Sequence, residues 1–233
     1  MIPWEVLGRA RAPDGGELIL SHRDGEFVIR VDGRELMSSR GSNSEQEMAR
    51  LAIARVADNP RDGDLRLLIG GLGMGYTTRA ALDALPRAAE VTIAELVPAV
   101  VDWNQGPLGH LARRPLDDKR ARVAIEDVGR LMARTTVRFD AILLDVDNGP
   151  QGLTRKSNQL LYADAGLATA RRALRPGGVL AVWSASPDRP FEKRLRKAGF
   201  EVESVETPAR GASGGPMHTL IFAHLPAVTR RRR

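Results

Sequence analysis

Short apolar runs and Asp-Gly pairs alternate along the first 40 residues. The runs cover residues 17–22 and 26–31, and the pairs are Asp14-Gly15, Asp24-Gly25 and Asp32-Gly33. An Asp-Gly pair between such runs is a strong local signal for a tight β-hairpin, because both central turn positions need positive φ angles. The pattern predicts a small antiparallel β domain over residues 1–40 that covers one end of the rest of the chain.

A polar loop and a single helix are expected over residues 41–64. Ser44 is followed three residues later by Glu47, which matches a capping box at the start of a helix. Apolar residues then recur with helical spacing up to Val56, and the pattern ends near Asn59-Pro60. The loop that precedes this helix is long and polar, so we expect it to act as a flap over a site.

From residue 65 to residue 226, strand-like apolar runs alternate with helical patterns. We expect strands at about 66–71, 90–95, 121–125, 139–145, 178–184, 200–206 and 218–224, and helices at about 75–85, 97–104, 128–134, 157–173 and 189–198. This alternation predicts a mostly parallel α/β sheet with helices on both faces. The last two strands have no helix between them and should form an antiparallel hairpin. Seven strands in this arrangement are typical of the class I methyltransferase (Rossmann-like) fold.

Composition narrows the classes of chemistry that this chain can carry. The 233 residues include no cysteine, so disulfides and cysteine nucleophiles are excluded, and the four histidines show no ligand spacing, so we expect no metal. Four of the six net positive charges belong to a basic tail at residues 227–233, which leaves little support for a nucleic-acid partner. The chain has no apolar run of membrane-spanning length and no signal-peptide core, and we expect a cytoplasmic protein without a membrane partner.

A glycine cluster marks the first expected strand-to-helix turn. Gly70, Gly71, Gly73 and Gly75 allow positive φ angles and close contact between the backbone and a ligand. Glu95 follows 20 residues after Gly75, at the end of the next strand, where a carboxylate can accept both hydroxyl protons of a ribose. A dinucleotide fingerprint would need glycine where the chain has tyrosine. The spacing therefore favours a site for one adenosine-like group, and an ordinary tight turn is the alternative.

Further acids follow the next expected strands. Asp127 comes after the third strand, where it can accept from an adenine amine or cap the next helix. Asp145 ends a fully apolar strand, and Asp147 and Asn148 follow it in a Gly-Pro turn. This group can hold an amine acceptor, orient it and take its proton. Simple turn chemistry is the alternative for Asp147 and Asn148.

Taken together, these segments resemble the spermidine synthase family over most of the chain. The resemblance rests on Ile69–Gly75, Val91–Glu95, Glu126-Asp127, Asp145, Gly149-Pro150, Ser157–Tyr162 and Leu174–Val179. It implies that Glu95 holds a nucleoside ribose, that Asp127 contacts adenine and that Asp145 is the catalytic aspartate. It also makes Tyr162 a candidate to bind the acceptor, and family precedent implies a homodimer. Glu45 is a further candidate for the acceptor, beside Asp147 and Asn148.

The chain also departs from that family. Gly41 and Ser42 stand where the family has an Asp-Glu pair, and Glu45 and Gln46 replace a Tyr-His pair. The half of the site that would hold the cosubstrate is well matched, whereas the half that would hold a polyamine is mostly not.

Three functions follow from this comparison. The first is transfer of an aminopropyl group from decarboxylated S-adenosylmethionine to an amine. The second is methyl transfer from S-adenosylmethionine to an unknown small molecule. The third is binding of a nucleoside without catalysis, against which the intact acids at the strand ends argue.

Overall fold

Two β-sheets and seven α-helices make up the part of the chain that the computed structural model describes, which is residues 2–13, 15–57, 64–146, 150 and 156–227. Four strands form an N-terminal antiparallel sheet in the order β1-β2-β3-β4: β1 (Glu5–Arg11), β2 (Glu17–Arg23), β3 (Glu26–Val31) and β4 (Arg34–Ser38). The predicted N-terminal antiparallel sheet is therefore confirmed.

The Asp-Gly hairpin turns have the backbone geometry that the sequence predicts. Asp24 and Gly25 have φ angles of 49° and 76°, and Asp32 and Gly33 have φ angles of 47° and 79°. Two successive positive φ angles match the right-handed twist of the flanking strands. Of the third predicted pair, Asp14 lies outside the described residues.

Helix α1 (Asn43–Ala57) joins the two sheets and starts differently from the prediction. It begins one residue before Ser44, so Ser44 lies inside the helix, and the predicted capping box is wrong. The Ser44 side chain is fully buried, and its hydroxyl bonds to side chains from distant strands instead of capping the helix. A tertiary environment that offers stronger partners has overridden the local motif.

Seven strands form the second sheet, in the order β10-β11-β9-β8-β5-β6-β7. They are β5 (Arg66–Gly70), β6 (Glu90–Glu95), β7 (Ala121–Ile125), β8 (Phe139–Leu144), β9 (Leu174–Ser184), β10 (Glu201–Pro208) and β11 (Met217–His224). The first five are parallel, and β11 pairs antiparallel with both β9 and β10. The predicted α/β sheet of seven strands with a C-terminal antiparallel hairpin is confirmed.

The remaining helices are α2 (Tyr76–Ala84), α3 (Pro98–Gln105), α4 (Val128–Arg134), α5 (Lys156–Leu161), α6 (Asp164–Ala173) and α7 (Arg189–Lys197). The single helix predicted at 157–173 is two helices, because Ala163 has an extended backbone and starts α6 anew. Strand β9 also begins at Leu174, four residues earlier than predicted.

Apolar side chains cover both faces of the large sheet. One face packs against α4, α6 and α7 through side chains such as Leu131, Leu167 and Phe191. The other face shares a single core with α1, α2, α3 and the N-terminal sheet, to which Leu20 and Ile29 contribute. The N-terminal sheet is thus held over the large sheet by a common core, and this packing fixes the space between them.

Candidate functional site

A cavity of about 420 Å³ lies beyond the carboxyl ends of the parallel strands. It sits where the strand order reverses, because β5 lies between β6 and β8 in the sheet. Open α/β sheets bind ligands at this position. The N-terminal sheet, α1 and the β10-β11 hairpin close the cavity from above, and its lining includes Met37, Glu45, Gly71, Gly73, Glu95, Asp127, Asp145, Trp183, Arg210 and His218.

The glycine turn between β5 and α2 brings backbone to the floor of the cavity. Gly71 has a φ angle of 89°, and a Cβ atom there would lie 2.3 Å from the Asp145 carbonyl oxygen. Gly73 has a φ angle of 53°, and a Cβ atom there would lie 2.7 Å from Met37 Cε. Both glycines line the cavity. Gly70 packs against Val128 behind it, and Gly75 precedes α2 with a φ angle of 84°.

Glu95 ends β6 and presents its carboxylate to the cavity. The side chain is 8% exposed, Oε2 accepts from the Leu72 backbone N–H at 3.0 Å, and Oε1 accepts from the Val97 N–H at 2.8 Å. These two bonds hold the carboxylate in one orientation. Each carboxylate oxygen has two acceptor sites, so both oxygens can also accept from a vicinal diol.

Asp127 lies at the next strand end and has the structural role that the sequence offered as an alternative. Its Oδ1 accepts from the Arg130 backbone N–H at 2.9 Å and so caps α4. Asp127 also lines the cavity, beside Glu126. Glu126 binds Arg134, and this hydrogen bond lowers the pKa of the Glu126 carboxyl.

Asp145 follows β8 and meets a second acid across the cavity. The Thr77 hydroxyl, in the first turn of α2, donates to Asp145 Oδ2 at 2.5 Å. Burial raises the pKa of Asp145, and the Thr77 hydrogen bond partly offsets this effect. Burial and the nearby Asp145 carboxylate both raise the pKa of Glu45. Two carboxyl groups that disfavour each other's charge titrate as a pair.

Two predicted acceptor residues, Asp147 and Asn148, lie outside the described residues. Tyr162 is described, and it does not line the cavity, contrary to the expectation of an acceptor contact. The side chain is 3% exposed, stacks edge-on against Phe191 and places its hydroxyl 3.5 Å from the Val146 carbonyl oxygen. Tyr162 therefore lies against Val146, the residue directly after Asp145, and Phe191 rather than in the cavity.

The cavity contains polar side chains that the sequence reasoning missed. Trp183 Nε1 donates to Ser44 Oγ at 3.0 Å, and His218 Nδ1 lies 2.9 Å from the same oxygen. The Trp183 and His218 rings meet edge-on at 4.5 Å. Trp183 lies near the carboxyl end of β9. A search of the strand ends for all polar side chains, and not only for acids, would have found it. His218 is the second residue of the antiparallel strand β11, whose start reaches the same edge of the sheet.

Acidic groups dominate the lining. Among the described residues around the cavity, seven are acidic and two are arginines. One of the arginines, Arg40, forms an ion pair with Glu26 at 3.0 Å. Burial lowers the pKa of the His218 imidazole, which favours its neutral form. The cavity therefore favours a ligand with positive charge.

Within the described ranges, no three histidine or acidic side chains are grouped so that they could hold a metal ion. None of the described helices is both long enough and apolar enough to cross a membrane.

Five parallel strands, an antiparallel edge pair, and a glycine turn and acid at the switch point define a class I methyltransferase fold. The model of the spermine/spermidine synthase domain matches residues 53–197, and the chain belongs to that family.

The chain is similar to several polyamine aminopropyltransferases. It is 27% identical to the one from Mycobacterium tuberculosis over 224 residues, which is 91% of this chain and 41% of that protein. It is 30% identical to the one from Ruegeria sp. over 162 residues, which is 65% of this chain and 54% of that protein. The chain thus spans about half of these relatives or less.

Solved structures share the fold. The probable spermidine synthase from Corynebacterium glutamicum superposes with a TM-score of 0.59 at 17% identity, over 94% of this chain and 79% of that chain. The O-methyltransferase from Bacillus cereus in complex with SAH gives a TM-score of 0.55 at 16% identity, over 78% of this chain and 80% of that chain.

Proposed function

We propose that this protein transfers an aminopropyl group from decarboxylated S-adenosylmethionine to a small amine acceptor. The observation that carries the proposal is one cavity that joins a nucleoside cradle, built by Gly71, Gly73, Glu95 and Asp127, to the Glu45–Asp145 acid pair. Membership of the spermine/spermidine synthase family supports the same reaction.

The nucleoside half of the donor fits the floor of the cavity. Glu95 accepts hydrogen bonds from the two ribose hydroxyls, because its carboxylate is already oriented by two backbone N–H groups. Asp127 accepts from the exocyclic amine of adenine at the next strand end. The space that Cβ atoms would fill at Gly71 and Gly73 lets the donor lie directly on the turn.

Asp145 holds the acceptor amine and takes a proton from it. The unprotonated nitrogen attacks the carbon next to the sulfonium, the new C–N bond forms, and the C–S bond breaks with its electron pair on sulfur. Positioning of such an activated donor contributes up to about 7–11 kcal/mol to catalysis. Asp147 and Asn148 contribute further acceptor contacts in this proposal.

The charge of the cavity favours the decarboxylated donor. A carboxylate about 4 Å from a charged Glu45 or Asp145 would cost about 4 kcal/mol at an effective dielectric constant of 20. The decarboxylated donor has two positive charges and no carboxylate, so it gains from the same acids.

Methyl transfer from S-adenosylmethionine is the second candidate. The changes at Gly41, Ser42 and Glu45 alter the acceptor half, and Arg40 and Arg210 at the cavity could pair with a donor carboxylate.

We also infer a homodimer, as the family resemblance implies. Val6 and Leu7 on the edge strand β1 are exposed and apolar, which supports a dimer in which the second subunit covers this edge.

A comparison of the two donors tests the reaction. The full chain would be incubated with a diamine and each donor, and methylthioadenosine and S-adenosylhomocysteine would be measured by mass spectrometry. We expect methylthioadenosine from the decarboxylated donor, and a larger thermal shift with that donor. S-adenosylhomocysteine as the sole product would establish methyl transfer instead, and binding of the decarboxylated donor without any methylthioadenosine would refute aminopropyl transfer to a diamine.

A further inference from the structure

The Ser44 hydroxyl has three polar neighbours that come from three parts of the fold. Trp183 Nε1 on β9 lies at 3.0 Å, Glu45 Oε2 on α1 at 2.7 Å, and His218 Nδ1 on β11 at 2.9 Å. Ser44 itself is fully buried, whereas Glu45, Trp183 and His218 line the cavity. A side chain behind the cavity wall thus connects two titratable groups that face the ligand space.

The hydrogen atoms available to this group limit how it can be arranged. A hydroxyl has one hydrogen to donate and two lone pairs, and an indole N–H can only donate. Trp183 therefore occupies one lone pair of Ser44. Of the two remaining neighbours, one must donate to Ser44, and the other must receive the Ser44 hydrogen.

Only two arrangements with a neutral imidazole satisfy this condition. In the first, Glu45 is ionised and accepts from Ser44, His218 Nδ1–H donates to Ser44, and His218 Nε2 has a lone pair. In the second, protonated Glu45 donates to Ser44, Ser44 donates to His218 Nδ1, and Nε2 bears the hydrogen. The second arrangement holds one more proton than the first. A proton that enters at Glu45 and one that enters at Nε2 give the same final state.

We propose that Glu45, Ser44 and His218 form a proton relay that carries the acceptor's proton from the Glu45–Asp145 acid pair to His218. This role rests on the proposed transfer reaction, and it makes Ser44 and His218 positioning residues that act through Glu45. His218 itself is half-buried and lines the cavity, so its ring is partly accessible to water.

The proton balance of one turnover is complete. The acceptor ammonium gives one proton to the acid pair before its nitrogen attacks. Glu45 then passes a proton to Ser44 Oγ, Ser44 passes its own to His218 Nδ1, and Nε2–H releases one to water. Glu45 ends ionised, Ser44 keeps one hydrogen, and His218 returns to the Nδ1–H form.

Several charged groups surround the relay and influence the pH at which its members gain or lose protons. Asp145 follows β8, Arg210 comes from the β10-β11 hairpin, and the other charged side chains at the cavity are Glu26, Glu35, Arg40, Glu95, Glu126 and Asp127. Trp183 on β9 and Thr207, which is paired with His218 on β10, bring no titratable group.

The tautomer of His218 tests the relay without substrate. The full chain would be labelled with ¹⁵N-histidine, and the His218 signals assigned by comparison with His218→Gln. As Glu45 becomes protonated on acidification, we expect the hydrogen to move from Nδ1 to Nε2 before the ring becomes charged. Glu45→Gln should abolish this exchange. An Nδ1–H form that persists until the ring becomes charged would overturn the proposal.

Steady-state kinetics test how much the proton relay contributes to turnover. We expect Ser44→Ala and His218→Gln each to lower kcat about 10²-fold with little change in the KM of the donor, the usual scale for lost proton transfer. The double variant should be no slower than either single variant, because one broken link already stops the relay. His224→Gln, on the same strand but paired with Glu203 at 3.2 Å, is the matched control and should keep full activity.

These outcomes separate the relay from the reaction on which it rests. Additive losses in the double variant, with normal nucleoside binding, would refute the relay and leave the transfer reaction intact. A tautomer exchange in a protein that transfers nothing from either donor would refute the proposed function and leave the hydrogen-bonded chain established.

Discussion

Substitution of Gly71 by alanine probes the contact between the glycine turn and the segment that carries Asp145. Gly71 has a φ angle of 89°, a region in which a Cβ atom costs about 1–2 kcal/mol. The new Cβ atom would also lie 2.3 Å from the Asp145 carbonyl oxygen, and Cβ atoms essentially never come within 3.0 Å of another atom. The two backbones must therefore separate by at least 0.7 Å, the difference between these distances.

Gly25→Ala supplies a matched control for that substitution. Gly25 has a φ angle of 76° in the hairpin between β2 and β3, and a Cβ atom there meets nothing within 4 Å. Both variants should lose about 1–2 kcal/mol from backbone strain, which corresponds to about 2–4 °C in Tm for each kcal/mol at this chain length. Only Gly71→Ala adds the displacement of Asp145.

Activity should separate the two variants clearly. Displacement of a reacting group by about 1 Å can cost about 10²-fold in rate. We expect Gly71→Ala to lose about 10²-fold in kcat and to have a lower Tm than Gly25→Ala, whereas Gly25→Ala should turn over like the unmodified protein. Steady-state kinetics and thermal unfolding measure both effects. If Gly71→Ala kept full turnover and matched the Tm of the control, the close packing of Gly71 against Asp145 would not be what positions Asp145.

Three further predictions concern the acids of the cavity. Asp145→Asn should abolish transfer but retain methylthioadenosine binding in calorimetry, and normal turnover would remove Asp145 from the proposed mechanism. Glu95→Gln should weaken methylthioadenosine binding by about 1.5–3 kcal/mol, the scale of one charge-assisted hydrogen bond, and unchanged affinity would place the ribose elsewhere. Glu45 has a raised folded-state pKa, so its ionisation destabilises the fold as the pH rises through that pKa. Glu45→Gln should therefore raise Tm at pH 8 relative to the unmodified protein, and this gain should disappear below the ordinary glutamate pKa. An equal gain at every pH would contradict the assigned burial effect.

The same acids explain why the departures from the family pattern matter. Glu45 lines the cavity, at a position where the family resemblance predicts a different residue, and it interacts there with Asp145. Its neighbour Ser44 joins it to Trp183 and His218. In the proposed reaction, the acceptor would thus meet side chains that differ from the family pattern, which makes the acceptor the natural target of substrate screening.

The sequence by itself determined the architecture and identified the glycines and acids that line the cavity at the strand ends. Apolar periodicity identified the seven strands in order, and the Asp-Gly pairs identified the hairpins, because both signals depend on neighbours in the chain. Gly71, Gly73, Glu95, Asp127 and Asp145 could be nominated for the same reason, since parallel strands bring their carboxyl ends to one edge. Local signals failed where a tertiary contact was stronger, as at Ser44.

Only the tertiary structure decided which other side chains meet at the cavity. Ser44 lies 139 residues from Trp183 and 174 from His218 along the chain, and no local pattern carries that information. Tyr162 lies at the break between α5 and α6, which the helical period did not signal. The raised pKa values of Glu45 and Asp145 likewise depend on burial that only the folded chain produces. Proximity across the fold, rather than residue type, turns these side chains into a site.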